Sequence, residues 1–312
     1  MLDIHRLRLL RELSIRGTIA EVAAALRYSP SSVSQQLSLL EREAKVALFR
    51  KSGRRLQLTA HAMVLVEYAE ELLDGLERAE AALAVTRPIV SGTVRLAVFQ
   101  TAALALIPNM LRTLRERHPL VQVKMVQHEP ETALRETWAR NFDLVVAEQY
   151  PGHAAPHYET LDRDPLTRDE IQLAVPTELA GAPEDFHRVG SLHDAGGLPW
   201  VMEPHGAASR HWAEQQCRLA GFEPDVRFES ADLQTHVRLV ESGNAVALLP
   251  QLVWAQREQR SRLVELPGRP RRTIFTAARR SSAGDPAIAA IREALTAEAA
   301  ALGLDAPGKS GT

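Results

Sequence analysis

The chain has 312 residues, room for two or three domains of roughly 100–150 residues each. Hydrophobic residues make up 45 % and charged residues 24 %, which excludes a disordered or fibrous chain. The net charge of −2 hides an asymmetry: residues 1–59 hold eleven Lys and Arg against five Asp and Glu, a net +6, so the remainder carries −8. A basic head on an acidic body points to a polyanion partner for the head alone.

In DIHRLRLLRELSIRG the apolar residues Ile4, Leu7, Leu10 and Leu13 fall at helical spacing, with Asp3 to cap the start and Gly17 to end it. TIAEVAAALRYS predicts a second helix, with Thr18 as N-cap and Glu21 at the capping-box position. After the break at 27–29, PSSVSQQLSLLERE predicts a third. Ser29 caps it, Pro30 suits its first turn, and Val33, Leu37 and Leu40 form its buried stripe. ALFRKSGRRLQLT reads as a hairpin turning at Ser52-Gly53 and crowded by Arg50, Lys51, Arg54 and Arg55. Thr59 caps a long helix over roughly 60–85. Its stripe Leu65, Tyr68, Leu72, Leu76, Ala79 and Leu83 has nothing local to cover it, so a partner helix is expected.

Pro88 and Ser91-Gly92 mark a boundary. Beyond it strands (TVRLAVF, VQVKMVQ, FDLVVAEQ) alternate with helices (IPNMLRTLRERH, PETALRETWAR), the pattern of a parallel sheet with right-handed crossovers. A second unit follows with strands EIQLAVP, GLPWVME, VRFES and AVALLP, helices over 208–220 and LQTHVRLVESG, then a last strand RRTIFTAARR and a last helix over 286–302.

Two short helices joined by a tight turn present the second helix to the DNA major groove. Its face over 31–36 offers Ser31, Ser32, Ser34, Gln35 and Gln36. Gln can pair with adenine through two hydrogen bonds, and Ser can contact base or phosphate. With Thr18, Ser29 and Pro30 at the helix starts, and Arg54 and Arg55 at the hairpin tip, these residues form the candidate contact set for double-stranded DNA.

The segment GTIAEVAAALRYSPSSVSQQLSLLEREAKVALFRKSGRRLQLT resembles the N-terminal winged helix of the LysR-type transcriptional regulators. ESGNAVALLP and DLVVAEQY resemble features of the family's C-terminal half. The resemblance implies an α/β protein with a winged helix-turn-helix (1–59), a dimerising linker helix (60–87) and a two-lobed effector domain (92–303) like the periplasmic binding proteins. Lobe one would take about 92–163 and 270–303, and lobe two about 164–269. It further implies a homodimer or homotetramer, a small-molecule effector between the lobes, and RNA polymerase as a further partner. The chain departs from the family at SPSSVS, where many members have Gln then Pro after the first Ser. It departs again at Gln35, where Arg is common, and at Ala62, where Gly is usual. The first two departures bear on which operator is read.

Two-lobed α/β domains bind ligands at the carboxyl ends of their strands. The loops there supply Gln100, Thr101, His128, Glu129 and Glu148 from lobe one, and Glu203, Pro204, Ser230, Ala231 and Asp232 from lobe two, with Gln149 and His205 beside them. Helix capping is the plainer role open to Ser230 and Asp232. The mixed polar set suits a small polar metabolite. Trp138, Trp200, Trp212 and Trp254 are spaced as core residues, with the cleft wall as an alternative place for Trp200.

Two other classes fit less well. A solute-binding or transport module suits neither the basic head nor MLDIHRLRLLREL, which reads unlike a signal peptide. An enzyme lacks its constellation: there is no HExxH, Cys/His cluster, GxSxG, P-loop or GxGxxG. His153/His157 and His205/His211 do not have metal-ligand spacing, so neither metal nor cofactor is expected. One cysteine, Cys217, cannot form an internal disulfide, and no apolar run reaches the ~18 residues of a membrane span. Both fit a cytoplasmic protein with no membrane partner.

Overall fold

The computed structural model describes residues 1–52, 55–255 and 257–304, without the side chains of Lys51, Ser52, Arg55 and Leu179. The head opens with α1 (Ile4–Arg16), α2 (Ile19–Leu26) and α3 (Pro30–Ala44). Each is started by a capping side chain. Asp3 accepts from the amides of His5 and Arg6, Thr18 from Glu21, and Ser29 from Ser32. Gly17 ends α1 at a φ of 83°. Arg27 adopts a left-handed φ of 57° to make the tight turn between α2 and α3. Leu7, Leu10, Val22, Val33, Leu37, Leu40 and Leu48 bury together as the head's core. The strands β1 (Phe49–Ser52) and β2 (Arg55–Leu58) pair antiparallel as the wing.

Helix α4 (Ala60–Val85) begins at Thr59, whose hydroxyl accepts from the Ala62 amide. It packs on α1 through its first half, where Ala62 and Ala69 are fully buried and Leu65 is partly so. The rest of the expected stripe, Tyr68, Leu72, Leu76, Ala79 and Leu83, lies open along one side.

The body contains β3 (Ser91–Val98), α5 (Gln100–Ala105), α6 (Ile107–Arg117), β4 (Leu120–Gln127), α7 (Pro130–Trp138) and β5 (Leu144–Gln149). Then come β6 (Asp164–Val175), α8 (Glu184–His187), β7 (Pro199–Met202), α9 (Ala208–Leu219), β8 (Asp225–Glu229) and α10 (Leu233–Glu241). β9 (Ala247–Pro250), β10 (Arg262–Val264), β11 (Arg271–Ala278) and α11 (Pro286–Ala301) complete it. The parallel sheet expected of the first three strands is present, with β3 pairing parallel to both β4 and β5, and β7 also pairs parallel with β8. β11 runs antiparallel between β5 and β6, and β9 and β10 pair antiparallel with β6. The reason is that no helix carries the chain from β5 to β6 or from β10 to β11. β6 and β11 therefore cross together between two lobes. One lobe closes around β3, β5, α6 and α11 with Leu96, Met110, Leu144 and Ile291 in its core. The other closes around β7, α9 and β9 with Trp200, Trp212, Val246 and Leu173. α5, β10 and α8 carry no periodic signal long enough to be predicted from sequence.

Lobe one grips α4 through buried charge. Glu77 of α4 accepts from Arg279 Nε at 2.9 and 3.0 Å and from the Ser281 hydroxyl at 2.5 Å, and lies 2.6 Å from Arg140 Nη1. Burial alone would raise Glu77, but Arg279, Arg140 and Ser281 outweigh it and hold the carboxyl below its ordinary range. Arg140 also donates to Asp74 at 2.5 Å, and Arg279 to the carbonyls of Thr137 and Phe142 at 2.6 Å. The head adds Arg11, which donates to Glu70 at 2.6 Å and to the Trp138 carbonyl at 2.9 Å. Arg16 donates to Glu136 at 2.8 Å.

Removing one partner of such a pair strands a buried charge. Glu77→Ala is expected to cost roughly 3–5 kcal/mol, read as a lowered urea midpoint. Glu293→Ala, which breaks the exposed Arg117–Glu293 pair, is expected to move the midpoint negligibly.

Candidate DNA-reading head and effector cleft

The start of α3 is the exposed end of the helix-turn-helix. Ser29, Pro30, Ser31, Ser34 and Gln35 are exposed, and Ser32 is half-buried. The Ser29 hydroxyl serves as cap for Ser32 and lies 3.0 Å from that of Ser31, so it has a structural role before any contact. Gln36 departs from the expected face: it is half-buried and its carbonyl oxygen accepts from Arg6 Nε at 3.0 Å. The same Arg6 pairs with Glu43. Thr18 is exposed, and its hydroxyl donates to Glu21 at 2.9 Å. Arg54 lies outside the described residues, and of Arg55 only the backbone, in β2, is described. On the wing Arg50 is exposed and donates to Gln57 at 3.1 Å. Sequence reasoning missed Tyr28, exposed at the turn beside this face; a bulky aromatic between two capped helices was the available signal.

The second site is a cavity of about 380 Å³ where the carboxyl ends of β5 and β7 face the starts of α7 and α9. Of the expected set, it collects Glu129, Glu148, Glu203, Pro204 and Ala231, with Gln149 and His205. The others go elsewhere. Gln100 bridges the lobes, donating to Asp232 at 2.6 Å and accepting from the Leu233 amide at 2.8 Å. Asp232 also caps α10, and Ser230 accepts from the Asp232 amide at 3.1 Å. Thr101 is buried and accepts from Arg272 at 2.7 Å. His128 turns away from the cavity, edge-on to Phe142, beside the groove between head and lobe one. Trp200 is core, donating to the Ala195 carbonyl at 3.1 Å. Glu131, Thr132, Tyr150, His153 and Ser209 line the cavity unforeseen. His153 lies beside His211, not paired with His157, and among the described residues no cluster of His, Cys, Asp and Glu is placed to hold a metal ion.

The cavity is strongly acidic. Glu203 is pushed up to about 7, chiefly by burial; Glu129 adds to the rise, while Arg272 and a hydrogen bond from Ser209 oppose it. Glu148 is raised by burial and by Glu203, Asp169 and Glu129 despite its pairing with Arg272. Glu129 is raised by burial and by Glu131. Arg272, almost fully buried, donates to Asp169 at 2.9 and 2.7 Å as well as to Glu148 and Thr101. Cys217 is on the buried face of α9, and its thiol is pushed up to about 12 by burial and by Glu214 and Glu223, which makes it a poor nucleophile.

A carboxyl raised on folding stabilises the fold when protonated. For Glu203 that contribution is fully present below the ordinary value of 4.5 and is lost as pH rises through about 7. Glu203→Gln abolishes this titration. Relative to the parent it is expected to gain on the order of 2 kcal/mol as pH climbs through that window. Urea midpoints across pH check this; a difference that stays flat would mean an unshifted carboxyl.

Residues 4–63 match the bacterial regulatory helix-turn-helix proteins of the lysR family, and residues 89–300 match the LysR substrate binding domain. The chain is 25 % identical over 256 residues to the transcriptional dual regulator GltC of Bacillus subtilis, covering 82 % of this chain and 83 % of that one. It is 26 % identical over 254 residues to a malonate utilization transcriptional regulator of Klebsiella pneumoniae, covering 80 % and 81 %. A full-length OxyR variant from Pseudomonas aeruginosa has the same fold at a TM-score of 0.66 and 16 % identity, over 95 % of each chain. With a capped helix-turn-helix at one end and a two-lobed substrate domain matched over residues 89–300 at the other, this chain belongs to the LysR family of DNA-binding transcriptional regulators.

Proposed function

We propose that the chain acts as a pair in which residues 1–59 read DNA, 60–87 join two copies, and 92–303 sense an effector held in the interlobe cavity. The observation that carries this reading is the face of α3. Ser31, Ser34 and Gln35 stand exposed at its N-terminal end, where the helix pole favours phosphate and side chains reach base edges. Two such faces, held apart by paired α4 helices, would meet half-sites of an inverted repeat one or more helical turns apart. Tetramer formation, contact with RNA polymerase at the promoter, and action in the cytoplasm complete the reading, on the strength of family membership. No helix among the described residues is long and apolar enough to cross a membrane.

The uncovered stripe Tyr68, Leu72, Leu76 and Leu83 supports pairing through α4, because four large apolar side chains in one row lose free energy to water until covered. Leu72→Glu is expected to shift the protein to monomer in sedimentation velocity and to abolish high-affinity operator binding. Oligomerisation unchanged by Leu72→Glu would move the interface off α4.

DNA reading is tested by fluorescence anisotropy on duplexes from upstream of the chain's own gene. Gln35→Ala is expected to lose roughly tenfold in affinity for the preferred duplex and to relax preference at one base position. Arg54→Ala is expected to weaken all duplexes alike and flatten the salt dependence by about one counterion. Binding that ignores both substitutions sinks the assignment of this face.

A further inference from the structure

The interlobe cavity carries more negative charge than its own walls neutralise. Among the described residues, Arg272 is the one guanidinium bonded to a carboxylate of the cavity, and its single charge is divided between Glu148 and Asp169. Arg210 lies close by but is spent on Glu214 at 2.5 Å and on the Glu203 carbonyl at 3.1 Å. Among the described residues Glu203 has a hydrogen bond from Ser209 but no ion pair, with Arg272 acting on it only at longer range, and Glu129 has neither a hydrogen bond nor an ion pair, with His128 alone opposing its rise. The remaining titratable groups facing the space are Glu131, Tyr150, His153 and His205. His153 leans to Glu131 at 3.9 Å, and His205 lies 3.5 Å from Arg210.

Three features tell what would balance that charge. The carboxylates come from both lobes, Glu129 and Glu148 from one and Glu203 from the other, so a positive group between them draws the lobes together. Among the described residues no set of them is placed to hold a bare metal ion. Apolar walls, from Pro130, Ala155, Pro204, Ala207 and Ala208, enclose the same space and need an organic skeleton to cover them.

We propose that the cavity takes a small organic cation, an amine, amidine or guanidine, whose positive group sits between Glu203 of lobe two and Glu129 and Glu148 of lobe one. The inference rests on the reading of this cavity as the effector site. The ligand supplies the charge the walls lack, at a place where burial leaves each carboxylate costly to ionise alone. It thereby gives the closed arrangement of the lobes a differential affinity that an uncharged molecule of equal size does not. A carboxylate ligand, by contrast, would enter against four glutamates with no free guanidinium among the described wall residues to receive it.

The test uses the full chain and three four-carbon probes matched in length: putrescine, butanediol and succinate. Isothermal titration near neutral pH, in two buffers of different ionisation enthalpy, reads affinity and proton exchange together. Putrescine is expected to bind at least about tenfold more tightly than butanediol, the equivalent of one unit in a carboxyl pKa. It is expected to release protons, because its charge draws Glu203 down from about 7. Glu203→Gln is expected to remove most of the preference and of the proton release. Succinate binding in place of putrescine, lost in the cavity-filling variant Ala207→Trp, overturns the cation and leaves the cavity as the effector site. Putrescine binding untouched by both Ala207→Trp and Glu203→Gln overturns the cavity reading itself. Silence from all three probes also overturns the cation.

Discussion

A single buried guanidinium ties the sensing half together. Arg272 sits on β11, one of the two strands that cross between the lobes, and is 1 % exposed. It bonds Asp169 on β6, the other crossing strand, Glu148 at the end of β5, and Thr101 in the first turn of α5, with its plane against Phe99. A buried arginine is tolerable only when its donors are met, so these four elements must meet at one point for the chain to fold. Two consequences follow for the cavity. Glu148 is held in place as a wall, and the crossing strands feel whatever happens to it. The next residue from Thr101, Gln100, then clasps Asp232 and the Leu233 amide of α10, so the same turn of α5 also holds the second lobe.

A second charged knot joins that half to the linker helix. Glu77, Arg140 and Arg279 pair where α4 meets α7 and β11, and β11 is the strand that carries Arg272. Arg272 lies near the start of β11 and Arg279 directly follows its last residue, Ala278, so one strand runs from the cleft to α4. A change in lobe arrangement that moves β11 therefore has a direct path to α4. Any such coupling is a difference in free energy between arrangements and not a property of distance. The Glu77 pairs hold the far end of this strand to α4, and the Arg272 pairs hold its near end at the cleft.

The local parts of this were legible in the sequence. Asp3, Thr18, Ser29 and Thr59 cap the helices they precede because a cap is decided within three residues, and beyond Leu65, which packs on the head, the α4 stripe is uncovered within one chain. Long-range parts were not. Gln100 and Asp232 look like ligand contacts because each follows a strand, but their side chains find each other across 132 residues of chain. His128 follows β4 in the same way, but β4 is the sheet's edge and its end points toward the head. Strand alternation predicted the parallel pairing of β3, β4 and β5, but the antiparallel return of β11 between β5 and β6 was not legible, since nothing local records which neighbour a strand will meet.

Charge counting also needs the fold before it means anything. The head holds eleven cations, but Arg6, Arg11 and Arg16 are spent on Glu43, Glu70, Glu12 and Glu136. Fewer cations than the count implies are therefore unpaired, and Arg50 of the wing is exposed. In the body the error runs the other way. A net −8 spread over residues 60–312 looks like an ordinary solvated surface, but part of it is gathered into one cavity where only Glu148, among the described residues, has a guanidinium partner. Surface carboxylates cost nothing to ionise; Glu203, raised to about 7, does. A protein that keeps such a group at the meeting of two lobes destabilises its empty cleft near neutral pH. It recovers that free energy when a partner of opposite charge arrives, which is the condition a ligand must meet to bias one arrangement over another.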